Sequence, residues 1–378
     1  MKTSLRVTFL ILIAVSVFGA CRKPATTQNI NTSQASPLPP ETIGGGAAPA
    51  GEKFSFRGWI ANLSIEMALV RDNDRLTGTY FYPRVGKNID LKGSIDSGGK
   101  LELHETDETG KDTGLFKGQW KSNEIGLAAI AGKWSRPDGS KATDFELTQQ
   151  PIEFTAAVHV TPKVIRENNK EGKYTVNVEY PQIEGDPRFD GFNQQARAMI
   201  SKDVAAFKAA EGTPSEEEPA VADEAQISTL DIGYNIRFAT DDLISVEFSE
   251  GQYERGAAHG SSVTVVLNYD IKNKKKLALV DLFQAKSNYL SVLSAYCIKD
   301  LQDQSRKNDM LMADQIKEGA GPRPENYGAW TITRKGLWVT FDPYQVAAYA
   351  AGAQHVLVPY SALKSIVKPD GPIGSFAG

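Results

Sequence analysis

The sequence predicts an N-terminal all-β domain, a small antiparallel barrel or sandwich, followed by an α+β domain with helices on antiparallel sheet. Two observations support this prediction. Between residues 54 and 149, about eight short β-prone runs are separated by turn residues, and no helical pattern interrupts them. Beyond residue 150, strand-like runs alternate with two segments whose apolar residues recur every three or four positions. That period is typical of an amphipathic helix packed on a sheet.

A short motif repeats in the first domain, with apolar residues at its ends and glycine at its centre. Its copies are centred on Gly58, Gly78, Gly93, Gly118 and Gly132. Because side chains alternate along a strand, all three motif positions share one face, where glycine lets another backbone come close. An eight-stranded barrel has room either for a filled core or for a small ligand at its mouth, and we favour the filled core. The residues that could line such a mouth are Trp59, Tyr80, Tyr82, Trp120 and Trp134.

In the second domain, two helices and a hairpin are predicted from changes of period. Apolar residues recur at helical spacing from Phe189 to Phe207 and again from Tyr289 to Leu301. Residues 330–333 and 337–341 are β-rich and are separated by a short turn. We expect Gly336, in that turn, to supply a positive φ for a tight hairpin.

Residues 1–20 have the features of a bacterial lipoprotein signal peptide. Two basic residues precede an apolar run that is too short for a membrane-spanning helix. The run ends in Phe-Gly-Ala-Cys at residues 18–21, which resembles a lipobox. We predict that Cys21 carries diacylglycerol and palmitate and anchors the chain in the cell envelope, at the outer membrane in a cell with two membranes. The alternative is an ordinary secretory signal followed by an incidental cysteine.

Composition limits the classes of partner. Residues 21–53 are low in complexity and predict a disordered tether. The net charge of −4 leaves no large basic field, so no nucleic-acid partner is expected. With Cys21 lipidated, Cys297 is the remaining cysteine, and its apolar neighbours indicate a buried, inert thiol.

Motifs for catalysis and for metal binding are not found in the sequence. The histidines are widely spaced, and no H-E-x-x-H, G-x-S-x-G, C-x-x-C or Walker pattern occurs. We therefore expect a non-catalytic binding protein without cofactor or metal. The alternatives are an envelope enzyme that acts on cell-wall glycan and a carrier that holds a small ligand in the N-terminal barrel.

The C-terminal part carries a family resemblance. FDPYQVAAYAAGAQHVLVPYSAL, from Phe341 to Leu363, follows Ala257-Ala258-His259-Gly260 and Leu282-Phe283. These motifs, in this order, resemble the extracellular domain of the RsiV family of anti-sigma factors. The same domain of unknown function also occurs beside peptidoglycan deacetylases, and the similarity extends over roughly residues 155–367. The resemblance implies recognition outside the membrane, with a lysozyme-like protein or peptidoglycan as candidate ligand.

His259, Tyr344 and Tyr349 are the candidate ligand-binding residues. His259 lies between small residues, which gives a ligand access, and histidine titrates near neutral pH. Tyrosine is favoured at recognition surfaces because a large ring and a hydroxyl come with little conformational entropy to lose. The alternative is that the tyrosines pack under the hairpin and that His259 only closes a turn.

These interpretations give a set of domain boundaries. The division is a signal peptide at 1–20, a tether at 21–53, a barrel-like domain at 54–150, an α+β subdomain at 151–253, an RsiV-like α+β subdomain at 254–368 and a tail at 369–378.

Overall fold

The computed structural model describes residues 51–123, 125–155, 158–211 and 227–377. The predicted signal peptide, Cys21 and nearly all of the predicted tether lie outside the described residues.

The N-terminal domain is a closed antiparallel barrel of eight strands, as the sequence predicted. Each strand pairs with the next in the chain, and the first pairs with the last. Closure leaves no free edge along the barrel. The strands are β1 (Glu52–Ile60), β2 (Leu63–Asp72), β3 (Arg75–Phe81), β4 (Ile89–Ile95), β5 (Lys100–Thr106), β6 (Asp112–Ser122), β7 (Ala128–Ser135) and β8 (Thr143–Gln149).

The motif glycines lie where neighbouring strands come too close for a side chain. At Gly58, Gly78, Gly93 and Gly132, a Cβ atom would lie 1.8 to 2.1 Å from a backbone oxygen of the neighbouring strand. A methyl group there would force the two strands apart. The repeat therefore reflects the tight closure of the barrel.

Apolar side chains fill the barrel interior. Phe116 is fully buried between the rings of Tyr80 and Phe145. Trp59, which the sequence placed among the residues of a ligand mouth, instead lies on the outer face of β1 and is 37% exposed. This correction follows from strand alternation, since its neighbours Phe56 and Ile60 point inward.

A mixed sheet with one long helix follows the barrel. Its order is β10-β11-β12-β13-β14-β15, with β9 paired to β12. All pairs in the order are antiparallel except β11 with β12, which are parallel because α1 connects them by a crossover. The elements are β9 (Ile152–Glu153), β10 (His159–Asn169), β11 (Tyr174–Glu184), α1 (Asp190–Glu211), β12 (Ser228–Thr240), β13 (Leu243–Tyr253), β14 (Ser261–Asp270) and β15 (Lys275–Lys276).

A three-stranded sheet and three α-helices follow in the described part of the chain. The sheet order is β16-β17-β18, and the pairing is antiparallel. Cys297 is fully buried in the core between these elements, and burial raises the pKa of its thiol, as expected of an inert cysteine. The elements are α2 (Tyr289–Ser305), α3 (Ala313–Gly319), β16 (Trp330–Ile332), β17 (Gly336–Phe341), β18 (Gln354–Pro359) and α4 (Tyr360–Leu363).

One expectation about the hairpin is wrong, because Gly336 does not have a positive φ. A Cβ atom on it would lie 2.2 Å from the carbonyl oxygen of Val358, so the close approach of β18 requires the glycine. In the predicted tail, Ile373 is buried and Phe376 stacks on Tyr360 with ring centroids 5.4 Å apart.

The mixed sheet crosses the division proposed at residue 253. β13 and β14 pair over ten residues on either side of it, from Leu243↔Asp270 to Gln252↔Ser261. The three-stranded sheet is linked to the same strands. The side-chain amide of Asn268 donates to the carbonyl oxygen of Trp330 at 2.8 Å, and Ile332 donates its backbone N–H to Ser245 Oγ at 2.8 Å.

The barrel covers a stretch of unpaired edge on β12. β11 pairs with β12 only up to Ile232, and β9 pairs with it only from Ala239. Between these points, Arg57 Nε donates to the carbonyl oxygen of Tyr234 at 2.9 Å, and Gln150 Oε1 accepts the backbone N–H of Ile236 at 2.7 Å. Barrel side chains therefore satisfy backbone groups that would otherwise be buried without partners.

Candidate aromatic binding site

His259, Tyr344 and Tyr349 meet at the surface. His259 lies in the loop between β13 and β14, while Tyr344 and Tyr349 follow β17. The rings of His259 and Tyr349 stack with centroids 4.4 Å apart, and those of Tyr349 and Tyr344 lie 5.3 Å apart. We call these three residues the aromatic surface. The structure thus brings together all three residues that the sequence analysis singled out.

The members of the aromatic surface differ in exposure. Tyr344 is 61% exposed and His259 is exposed, whereas Tyr349 is half-buried and donates its hydroxyl to the carbonyl oxygen of Gly260 at 2.5 Å. The Nδ1 atom of His259 lies 2.8 Å from the same oxygen. Since a carbonyl oxygen only accepts hydrogen bonds, this contact assigns the ring proton to Nδ1 and leaves Nε2 for another contact. His259 therefore both closes a turn and presents its ring.

Two glutamine side chains fix the loop that carries the tyrosines. Gln315 Nε2 donates to the carbonyl oxygens of Tyr344 and Ala347, at 2.9 and 3.1 Å. Gln345 Nε2 donates to the carbonyl oxygen of Gly319 at 3.0 Å. The loop is thereby held to α3, so its rings are positioned before any ligand arrives. These contacts could not be predicted from the sequence, because α3 itself was not predicted.

The loop is also tied to β14, and it holds one residue in an unfavourable conformation. Asp342 Oδ1 accepts the backbone N–H of Thr264 at 3.0 Å. Tyr344 then has a φ of 73°, in the left-handed region that bulky residues seldom adopt. Such strain persists only where surrounding contacts enforce it, and it is common at functional sites.

Two methionines extend the apolar surface beside this loop. Leu311 forms an isolated β-bridge with Ala347 and is buried. Its neighbours Met310 and Met312 are 42% and 55% exposed. The alternation Met-Leu-Met around one buried residue is the sequence signal that could have pointed to them.

The chemistry available at this surface is stacking and hydrogen bonding. It offers ring faces, the phenolic hydroxyl of Tyr344 and one imidazole nitrogen. Across the described ranges, no group of three or more His, Cys, Asp or Glu side chains is placed to hold a metal ion. Nor does that part of the chain contain a helix long and apolar enough to cross a membrane.

Residues 280–361 match the family model described as "Protein of unknown function (DUF3298)". The matched segment makes up less than a quarter of the chain. Tyr344 and Tyr349 lie within it, and His259 precedes it. The match confirms the resemblance to a domain of unknown function.

Among curated proteins, the chain is similar to the peptidoglycan-N-acetylmuramic acid deacetylase PdaC of Bacillus subtilis, with 33% identity over 141 residues. That alignment covers 37% of this chain and 29% of PdaC. The chain is also similar to the immunogenic protein MPT64 of Mycobacterium tuberculosis, with 28% identity over 112 residues, or 30% of this chain and 47% of MPT64. The chain thus spans less than a third of PdaC and about half of MPT64.

Two crystal structures of DUF3298 proteins are also similar. A family member from Bacteroides fragilis matches 59% of this chain and 98% of its own, with 17% identity and a TM-score of 0.43. A protein from Pseudomonas aeruginosa matches 56% of this chain and 94% of its own, with 20% identity and a TM-score of 0.41.

Proposed function

We propose that the protein is a lipid-anchored, non-catalytic component of the cell envelope that binds a cell-wall ligand through its aromatic surface. The observation that carries this proposal is the stack of His259, Tyr349 and Tyr344, of which two rings are exposed and all lie on fixed loops. The similarity to part of PdaC, whose name gives a peptidoglycan sugar as its substrate, favours peptidoglycan as the ligand.

The geometry suits the face of a sugar ring. A pyranose presents C–H bonds on one side and hydroxyls at its edge, which matches an aromatic face with a phenolic hydroxyl beside it. The loop contacts of Gln315 and Gln345 hold the tyrosines in place, so less conformational entropy is lost on binding.

A lysozyme-like protein is a second candidate ligand, and the methionines favour it. Met310 and Met312 add flexible apolar area beside the aromatic surface. Methionine adapts to irregular partner surfaces and is common at sites that bind proteins. A protein would cover both the tyrosines and the methionines, whereas a single glycan strand needs the rings alone.

Co-sedimentation with purified peptidoglycan sacculi, and titration with lysozyme, tests the two ligands. We expect Tyr344→Ala to weaken binding by about 1–2 kcal/mol with little change in melting temperature. Val280→Ala is the matched control, since Val280 is 54% exposed and lies in the same domain. Loss of binding in Met312→Ala as well as in Tyr344→Ala indicates a protein ligand. If the full chain binds neither ligand at high micromolar concentration, the part of the proposal that assigns a ligand is wrong.

The lipid anchor is proposed from the sequence of residues 1–21. The protein should incorporate labelled palmitate, and Cys21→Ala should release it from membranes. A Cys21→Ala variant that still sediments with membranes contradicts the anchor. The rival assignment, an envelope enzyme, predicts release of acetate or of new reducing ends from peptidoglycan, and we expect neither.

A further inference from the structure

A groove runs along the junction between the barrel and the mixed sheet. One part is a cleft of about 430 Å³ bordered by Trp59 of β1, and the other is a cleft of about 530 Å³ that is lined by Arg166 and Glu179. Both clefts are lined by Arg57, Asn62, Ser64 and Gly233, so they are contiguous. Two adjoining clefts of this size accommodate a chain of several small units.

The charges in the groove compensate one another. Arg57 forms ion pairs with Glu66 and with Glu179, and Arg166 lies 3.8 Å from Glu179. The Arg57 guanidinium also lies 3.8 Å from the ring centroid of Tyr234. Arg84 and Asp231 also line the second cleft, so three arginines face three carboxylates and the groove has no excess formal charge to attract an ionic ligand.

Polar side chains without hydrogen-bond partners and the indole of Trp59 line the first cleft. In the part of the chain that the structure describes, the side chains of Asn62, Asn235 and Ser249 form no hydrogen bond within the protein. Trp59 is 37% exposed beside them. Asn62 lies at the tip of the β1–β2 turn. The preceding residue, Ala61, has a φ of 55°, which is unfavourable for alanine. Neutral donors and acceptors around an indole face suit a hydroxylated ring.

Gly233 forms an open part of the groove wall. A Cβ atom added there would meet no heavy atom within 4 Å, unlike the motif glycines of the barrel. The sheet therefore does not require glycine at this position for packing. A side chain there would occupy the space between the two clefts.

From this arrangement we infer that the junction groove binds an uncharged oligosaccharide, with Trp59 stacking on one sugar ring and Asn62 and Asn235 hydrogen-bonding its hydroxyls. The site is separate from the aromatic surface and does not depend on it. A neutral glycan fits better than an anionic one, because carboxylates balance the charges of the groove arginines.

Tryptophan fluorescence of the full chain, titrated with linear tetramers of N-acetylglucosamine and of glucose, tests this inference. We expect Trp59→Ala to weaken binding about tenfold or more and Trp59→Phe, which keeps an aromatic face, about threefold, with calorimetry as the readout for these variants. Binding of one tetramer or of both supports the site and defines whether the acetamido group is recognised. A galacturonate tetramer should bind more weakly than either.

Paired glycine variants supply the control. Gly233→Ile fills the groove, whereas Gly251→Ile lies on the neighbouring strand β13, outside the residues that line either cleft, where a Cβ has a nearest neighbour at 3.8 Å. We expect loss of binding only in Gly233→Ile, with both variants folded by circular dichroism. The inference is overturned if neither tetramer binds at about 10 mM, which corresponds to less than 3 kcal/mol of binding free energy. Equal loss in the two glycine variants, tighter binding of galacturonate, or loss in Tyr344→Ala instead of Trp59→Ala also overturns it.

Discussion

The barrel interior and the aromatic surface use the same kinds of residue in opposite ways. In the barrel, Tyr80 is 1% exposed and donates its hydroxyl to the buried carboxylate of Glu105 at 2.7 Å. Trp134 Nε1 donates to the same carboxylate at 3.0 Å. On the aromatic surface, Tyr344 is 61% exposed and has a backbone φ of 73°.

The difference shows that aromatic content alone does not locate a binding site. Inside the barrel, the polar groups of Tyr80 and Trp134 are satisfied by Glu105, as buried groups must be. At the aromatic surface, ring faces remain available to a partner.

The sharpest contrast compares truncation of one aromatic residue from each region. Phe116→Ala removes a fully buried ring that packs at 5.5 Å from Tyr80 and 5.1 Å from Phe145. It should destabilise the chain by about 4 kcal/mol in chemical denaturation, as large cavities do. Tyr344→Ala should change stability by less than about 0.5 kcal/mol. Similar losses in the two variants would show that Tyr344 is a packing residue after all.

The junction between the barrel and the mixed sheet provides an intermediate case, because the guanidinium of Arg57 covers the ring of Tyr234. Arg57→Met keeps the volume but leaves Glu66 and Glu179 without their main partner, although their side chains are only 19% and 11% exposed. We expect a loss of about 3 kcal/mol, at the low end for a broken buried ion pair because both carboxylates keep some contact with water. Lys163→Met, at a half-exposed pair with Glu184, is the control and should change stability by less than about 1 kcal/mol. Equal effects would mean that Arg57 does not hold the barrel to the sheet.

Alkaline pH distinguishes the buried tyrosine of the barrel. Burial, together with the neighbouring Glu105 carboxylate, raises the pKa of Tyr80 far above its usual value. Since the unfolded state loses this proton near pH 10 and the folded state keeps it, stability is retained below about pH 10 and falls at higher pH. Tyr80→Phe should remove about 1.4 kcal/mol of the stability that is lost between pH 9 and pH 11, as measured by denaturation. An unchanged slope would indicate that Tyr80 ionises in the folded state.

The barrel could be predicted almost strand by strand because its signals are local. Period-2 alternation, turn residues and the glycine motif all lie within a few residues of one another. The parallel pairing of β11 with β12 could not be predicted in the same way, since it depends on the route of the chain through α1. Likewise, the capping of Tyr234 by Arg57 joins residues far apart in sequence, and a basic residue on the outer face of a strand is usually solvated.

The residues of the aromatic surface were predicted, but the contacts that hold its loop in place were not. His259, Tyr344 and Tyr349 could be selected by residue type, by small neighbours and by family resemblance. Gln315 and Gln345, which fix the loop, carry no signal in sequence because glutamine is common on solvated surfaces. The exposure of Met310 and Met312 depends in turn on the bridge between Leu311 and Ala347.

The prediction with the smallest expected effect tests whether the strained backbone of Tyr344 serves to present its ring. At a φ of 73°, alanine keeps the steric cost of the left-handed region, whereas glycine does not. Tyr344→Gly should therefore be more stable than Tyr344→Ala by about 1 kcal/mol, while both variants bind sacculi equally weakly. Asn273→Gly against Asn273→Ala is a suitable control pair, since Asn273 is absent from the residues with positive φ and glycine should bring no gain there. If Tyr344→Gly binds as well as the unchanged chain, the ring is not the recognition element. If it is no more stable than Tyr344→Ala, the loop relaxes without the ring, and the strain is imposed by tyrosine packing and not by the contacts of Gln315.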